Sequence, residues 1–319
     1  MNEKNSSKLL IGVSQCLLGE KVRFNGDHKR DRYICGMLSD YADYRPVCPE
    51  VAIGMGVPRP PIHQEGNPED PTVVGVQDKS INVTKPLKQF SKQYVKDLDE
   101  LSGFILKSKS PTCGMERIKV YQHTGQALRN GIGVFARELI AAYPYLPIEE
   151  EGRLCDPVLR ENFITRIFAY YRWQQLMLTK PSKKDLVEFH TRHKLLLRSH
   201  NEAGYQRLGT LMADLKDISL TELKQQYLAE FMSTLKTRAN AKKHANVLYH
   251  MLGYLKKHLD QQDKEEMVNL IESYRKGKVP LVVPITLFKH HFRRFPNPYI
   301  EQQYYLTPHP DELMLRNHV

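Results

Sequence analysis

The 319-residue chain has no run of eighteen apolar residues, a single tryptophan, five cysteines, no internal repeat and no low-complexity tract. The missing apolar run excludes a membrane-spanning helix. A hydrophobic content of 41% beside 26% charged residues excludes both wholesale disorder and a collagen-like fibre. The cysteines are odd in number, widely spaced and without any Cys-x-x-Cys pair, which disfavours a disulfide framework. The opening stretch, MNEKNSSKLLIGVS, lacks the long apolar core of a secretory leader and predicts a cytoplasmic protein. Free thiols, a metal site or catalysis remain as uses for the cysteines.

At about 100–200 residues per domain, this length predicts two domains. The net charge of +11 is uneven: residues 1–150 carry 20 Lys+Arg against 18 Asp+Glu, and residues 151–319 carry 27 against 18. A near-neutral half joined to a basic one suggests a chemical module tethered to one that meets a polyanion, nucleic acid first among the candidates.

The first half reads as α/β with a largely parallel sheet. Its short apolar runs LLIGVS (9–14), the segment ending at Val47, and FILK (104–107) alternate with segments 30–42 and 85–101 that suit helices. Residues 57–71 hold five prolines and are expected to form a long loop or lid, neither helix nor central strand. From about 155 the period turns helical. A connecting helix is expected over 151–180, with Ser182 as N-cap of the next, and an all-α, basic domain over 181–319. Gly277 suits a helix C′ position. The Pro-punctuated end, from Pro280 onward, predicts an extended, Tyr-rich strap.

Cys16, Cys48 and Cys113 each follow the C-terminal end of a predicted strand, the edge where α/β sheets collect ligands. Three such thiolates can converge although 32 and 65 residues separate them. Cys35 and Cys155 do not share that setting. A buried free cysteine is ordinarily just a small hydrophobe. Here Val-Cys-Pro-Glu and Ser-Pro-Thr-Cys-Gly set two of the three in tight backbone that presents side chains. Three thiolates fit either a catalytic zinc with an open position or an iron–sulfur cluster with one iron not held by protein.

The blocks VSQCLLGEKVRFNG, VCPEVAIGMGVPRPP and ILKSKSPTCG resemble the three signature blocks of the thiouracil desulfidase (TudS-like) family. Residues 184–316 resemble the YbgA-like helical domain through HTRHKLLLRSHN, ANVLYHMLGYLKKHL and QYYLTPHPDELMLRN. Together the two resemblances cover nearly the whole chain, and this two-domain arrangement resembles the desulfidases that act on 4-thiouridine in tRNA. The resemblance implies an oxygen-sensitive 4Fe-4S cluster held by Cys16, Cys48 and Cys113, with the fourth iron free to take sulfur from a thiocarbonyl. It also implies an acid/base role for Glu50 and an assisting hydroxyl at Ser110. Gln15, Asn25 and Thr112 stand where that pattern leads one to expect Ala, Asp and Ser.

The implied reaction is non-redox: a Lewis-acidic iron polarises C=S, Glu50 deprotonates an attacking water, and uridine and hydrogen sulfide result. Arg23, Arg59 and Lys107 lie near the cysteine blocks, as substrate contacts or as structural residues. A modified base inside folded tRNA must be extruded at an unstacking cost of about a few kcal/mol, which binding elsewhere on the RNA can supply. Phosphate-contact candidates are Lys183, Lys184, Arg192, Lys194, Lys242, Lys243, Lys256, Lys257, Arg293 and Arg294. Aromatics of KHHFRRFPNPYIEQQYY are candidates for base stacking. His190 and His193, spaced as HxxH, read as ordinary helix histidines rather than metal ligands. No protein partner is implied. The alternatives are a desulfidase of free thiouracil bases and a non-enzymatic iron–sulfur or RNA-binding adaptor.

Overall fold

Three apolar segments that sequence pattern marks as strands pair side by side in the protein, whose structure is a computed structural model describing residues 8–318. Residues 1–7, the start of the segment read for a leader, lie outside the described residues. The chain divides into two compact units, Met1–Asp156 and Pro157–Val319.

In chain order the first unit contains β1 (Leu9–Ser14), β2 (Ala42–Val47), α1 (Pro49–Ala52), β3 (Ile62–Glu65), β4 (Thr72–Gly75), α2 (Thr84–Tyr94), β5 (Gly103–Leu106), β6 (Ile118–Tyr121), β7 (Ala127–Gly131), α3 (Val134–Ala142) and β8 (Ile148–Glu150). One sheet is fully parallel, in the order β2-β1-β5-β8. β1 and β5 are buried almost throughout, as parallel strands covered on both faces must be. Pro46 fits in β2 because that strand is an edge and pairs only with β1. Phe104 packs on Phe135 of α3 at 5.7 Å between ring centres. It lies so close over β1 that a Cβ on Gly12 would come within 2.2 Å of it.

A second sheet, β4-β3-β6-β7, corrects the expectation of a long loop or lid with no central strand over 57–71. Ile62–Glu65 is an internal strand there, because the prolines at 58, 60, 61, 68 and 71 flank the four residues without interrupting them. Segment 30–42 also departs from expectation, containing only a 3₁₀ turn, Met37–Asp40, before β2.

The second unit is helical: α4 (Pro157–Leu178), α5 (Lys183–His200), α6 (Glu202–Ala213), α7 (Leu220–Lys236), α8 (Ala241–Leu255), α9 (Gln261–Arg275), α10 (Val282–Arg294) and α11 (Pro298–Glu301). Ser182 and Asp185 cap α5 reciprocally, and Asn201, Ser219, Asn240 and Asp260 cap the next four helices. Gly277 ends α9 at φ +69. The helix read as a connection is part of this unit's core, since Ala169 and Trp173 pack with Phe189, Tyr227 and Phe231. The expected extended strap is corrected by α10. Pro284 sits in its first turn, where a backbone N–H has no helical partner to lose. Among the described residues no helix is long and apolar enough to cross a membrane.

Candidate metal centre

β1 lies between β2 and β5, so three neighbouring strands release the chain at one edge of the parallel sheet. The connections run to opposite sides of β1, which makes that edge a topological switch point. Cys16 sits in the 3₁₀ turn Gln15–Leu18 after β1, Cys48 at the N-cap of α1 directly after β2, and Cys113 in the loop after β5. All three line one cavity of about 490 Å³, together with Glu50 and Ser110. Cys35 donates from Sγ to the Leu17 carbonyl at 3.4 Å and Cys155 is exposed; neither lines the cavity.

The thiols are close enough to influence one another. Burial pushes Cys16 up to about 11, with Cys48 adding to the rise and Lys107 and Arg23 opposing it. Burial raises Cys48 as well, against the N–H groups at the start of α1 and the Arg59 charge. Cys113 lies well above the usual thiol range through burial first, then through Cys48 and Glu50. Left alone, such buried thiols stay protonated; bound iron supplies the positive charge that lets them ligate as thiolates. Among the described residues no three His, Cys, Asp or Glu are placed to hold one metal ion. A multi-iron cluster makes a different demand, each cysteine binding its own iron, and the three coupled thiols around this cavity fit it.

The Cys113 loop is clamped from two sides. The Gln64 amide on β3 donates to the carbonyls of Pro111 and Ile132, both at 2.8 Å. At the start of α3, the N–H groups of Val134 and Phe135 donate to the carbonyls of Pro111 and Thr112. Gly133 lies so close to this loop that a Cβ would come within 2.4 Å of the Thr112 oxygen.

Glu50 stands in the single turn of α1, held by both oxygens. Oε2 accepts from Arg59 Nε at 2.9 Å and Nη2 at 2.8 Å, and Oε1 accepts from Thr112 Oγ1 at 2.9 Å. Arg59 is itself buried and donates to the carbonyls of Val22 and Gly56, each at 3.0 Å. Its side chain thus orients the carboxylate. Ser110 lines the cavity, but its Oγ accepts from the backbone N–H groups of Thr112 and Cys113 at 3.2 and 3.1 Å. It shapes the turn carrying Cys113, and the hydroxyl that reaches Glu50 is that of Thr112. Lys107 is also in the wall, its amine engaged by Glu151 and Ser108. Arg59 and Thr112 lie inside two of the signature blocks and Gln64 in none, and only the three-dimensional pairing shows their parts.

The RNA-contact candidates sort into two groups. Lys183 donates to the Leu215 carbonyl at 2.6 Å, Lys243 to those of His200 and Arg238, and Arg192 stacks on Tyr304 with its Nε buried. These three are engaged within the helical unit. Lys184, Lys242, Lys256, Lys257, Arg293 and Arg294 are exposed, and Lys194 is half-buried. Of the proposed stacking aromatics, Phe292 and Tyr305 are core residues, which removes them as base contacts. His190 and His193 are buried among Tyr205, Tyr227, Phe231 and Tyr304.

The family model of 2-thiouracil desulfurase matches residues 11–151, and that of a protein of unknown function, DUF1722, matches 194–310. Uncharacterized protein YbgA of Escherichia coli (strain K12) is 30% identical over 158 residues, 49% of this chain and 94% of its own. Among solved structures, the [4Fe-4S]-dependent thiouracil desulfidase TudS is 26% identical over 47% of this chain and 94% of its own, with a TM-score of 0.37. The first family match spans all three cavity cysteines and Glu50.

Proposed function

The chain belongs to the two-domain TudS/YbgA-like proteins, and from that premise we propose that it is an iron–sulfur desulfidase removing sulfur from 4-thiouridine in tRNA. The observation that carries this reading is the meeting of Cys16, Cys48 and Cys113 in one cavity with a carboxylate fixed by Arg59 and Thr112. The three cysteines would hold a 4Fe-4S cluster with one iron open to the thiocarbonyl sulfur, where it would act as a Lewis acid. Glu50 orients a water toward the thiocarbonyl carbon and takes its proton, a role worth typically about 10²–10⁴-fold in rate. Arg59 fixes the carboxylate on one oxygen. On the other, Thr112 leaves room for a further hydrogen bond, because a carboxylate oxygen accepts more than one. Water adds to the carbon, giving one proton to Glu50; as the carbonyl forms and the C–S bond breaks, that proton and the second one from the added water both pass to the departing sulfur, so uridine and hydrogen sulfide result with no net electron transfer. The excess of positive charge in the second half, with its exposed lysines and arginines, supports an RNA substrate.

The match to 2-thiouracil desulfurase favours a second reading, action on free thiouracil. One experiment separates the two. The protein is purified without oxygen, reconstituted with iron and sulfide, and given thiolated tRNA or free thiouracil. Loss of the thiouridine near-ultraviolet band with matching sulfide release is expected on tRNA. Turnover of the free base alone would move the assignment to the second reading.

A further inference from the structure

A second groove, of about 930 Å³, opens beside the cysteine cavity in the same unit and shares Ile62, Ser108, Lys109 and Pro111 with it. Lys109, Arg117, Lys119 and Arg129 line this groove, all exposed, and among the described residues none of them has an ion-pair partner. The groove's two carboxylates are Glu116, which meets Arg153 of the same wall at 3.4 Å, and Glu150, which accepts from the Met115 N–H at 2.7 Å. Residues 1–150 carry almost as many acids as bases, so five cations (these four and Arg153) against two carboxylates in one groove are a local segregation of charge.

The placement of these cations works against the fold. Lys119 and Arg129 are direct cross-strand partners on β6 and β7, where like charges repel. Lys109 and Arg117 hold left-handed backbone, at φ +60 and +57, on either side of Cys113. An anion lying along the groove relieves the repulsion. On the same surface the rings of His63 and Tyr121 lie 4.8 Å apart, an aromatic platform beside the cations. Cations along a groove with aromatic faces between them are how proteins hold single-stranded nucleic acid.

We propose that this groove binds the RNA strand flanking the target nucleotide, phosphates on Lys109, Arg117, Lys119 and Arg129 and a neighbouring base on His63 and Tyr121. The flipped base then enters the adjoining cysteine cavity. This rests on the reading of the substrate as RNA and assigns strand recognition to the α/β unit as well as to the helical one.

The test uses the full-length protein and a short single-stranded oligoribonucleotide with one 4-thiouridine. Its affinity is measured by fluorescence anisotropy across a salt series, and turnover of free 4-thiouridine is followed in parallel. In the Lys119→Ala/Arg129→Ala protein the oligonucleotide binds more weakly and the slope of log K against log salt falls by about 0.7 for each lost phosphate contact. Turnover of the nucleoside stays as in the unaltered protein, and Lys119→Arg/Arg129→Lys keeps the original slope. An unchanged affinity and slope in the alanine variant overturns the proposal, as does an equal loss in the charge-conserving one. Oligonucleotide binding with these responses, but no turnover of any thiolated substrate, sinks the desulfidase reading and leaves the groove standing.

Discussion

The two units bury polar groups in opposite ways. In the α/β unit several remain charged and are answered one by one, Glu50 by Arg59 and Thr112, Glu149 by Arg153 and Lys107 by Glu151, while the three thiols oppose one another's ionisation and call for a cation. In the helical unit histidines are the commonest of them, His190, His193, His200, His244, His291 and His309, packed among apolar and aromatic side chains, beside a buried Arg316 that meets Glu161. There burial holds His190 and His200 at about 4 and His309 at about 3, so they stay neutral. A polar group that keeps its charge under cover requires partners and becomes a site; one that gives up its proton becomes core.

The sharpest test of that contrast is iron content. Cys16→Ala, Cys48→Ala and Cys113→Ala are each expected to abolish iron retention after anaerobic reconstitution, while Cys35→Ala and Cys155→Ala retain it; a need for Cys35 would break the assignment. Next in size, Glu50→Gln is expected to lower turnover about 10²–10⁴-fold with iron intact. Thr112→Val, which removes one hydrogen bond to that carboxylate, is expected to give a smaller loss. Equal turnover in the Glu50→Gln protein would show that the carboxylate is only a partner for Arg59.

In the helical unit the expected effect falls on stability rather than on chemistry. His190, His200 and His309 are neutral in the fold and titrate near 6.5 when unfolded, so the unfolded chain binds more protons below that value. Their contribution is complete above pH 6.5 and is lost on acidification toward about 4, at about 1.4 kcal/mol per pH unit for each histidine. Trp173, the chain's one tryptophan, lies in this core and reports its unfolding. Denaturant midpoints followed by its fluorescence should fall between pH 7 and 5. A midpoint that holds or rises would contradict neutral burial.

Legibility followed local signal. β1, β2 and β5 are apolar or compact runs bounded by turns, and the thiols just beyond them were readable as a set before any pairing was known. The second sheet was hidden because its strands are four or five residues long, β7 is mostly exposed, and β3 lies between prolines. α10 was hidden by Pro284, which reads as a breaker unless the helix start is known. Of the residues around Glu50, Arg59 was visible only as one of several nearby cations. Its part depends on a carboxylate nine residues away, and that of Thr112 on one 62 residues away.

Since the three thiols reach the cavity from separate strand ends, no short stretch of the chain is a chelate by itself. A zinc finger can draw on metal binding to fold, because its ligands are local. On the proposed ligand set, the β2-β1-β5 pairing must exist before the three thiols meet, so the apoprotein would have to reach its fold unaided. During synthesis the site cannot form until the chain has been made past Cys113, about a third of its length. Loading would therefore follow the folding of this unit, and a protein stripped of iron should remain folded and open to reloading.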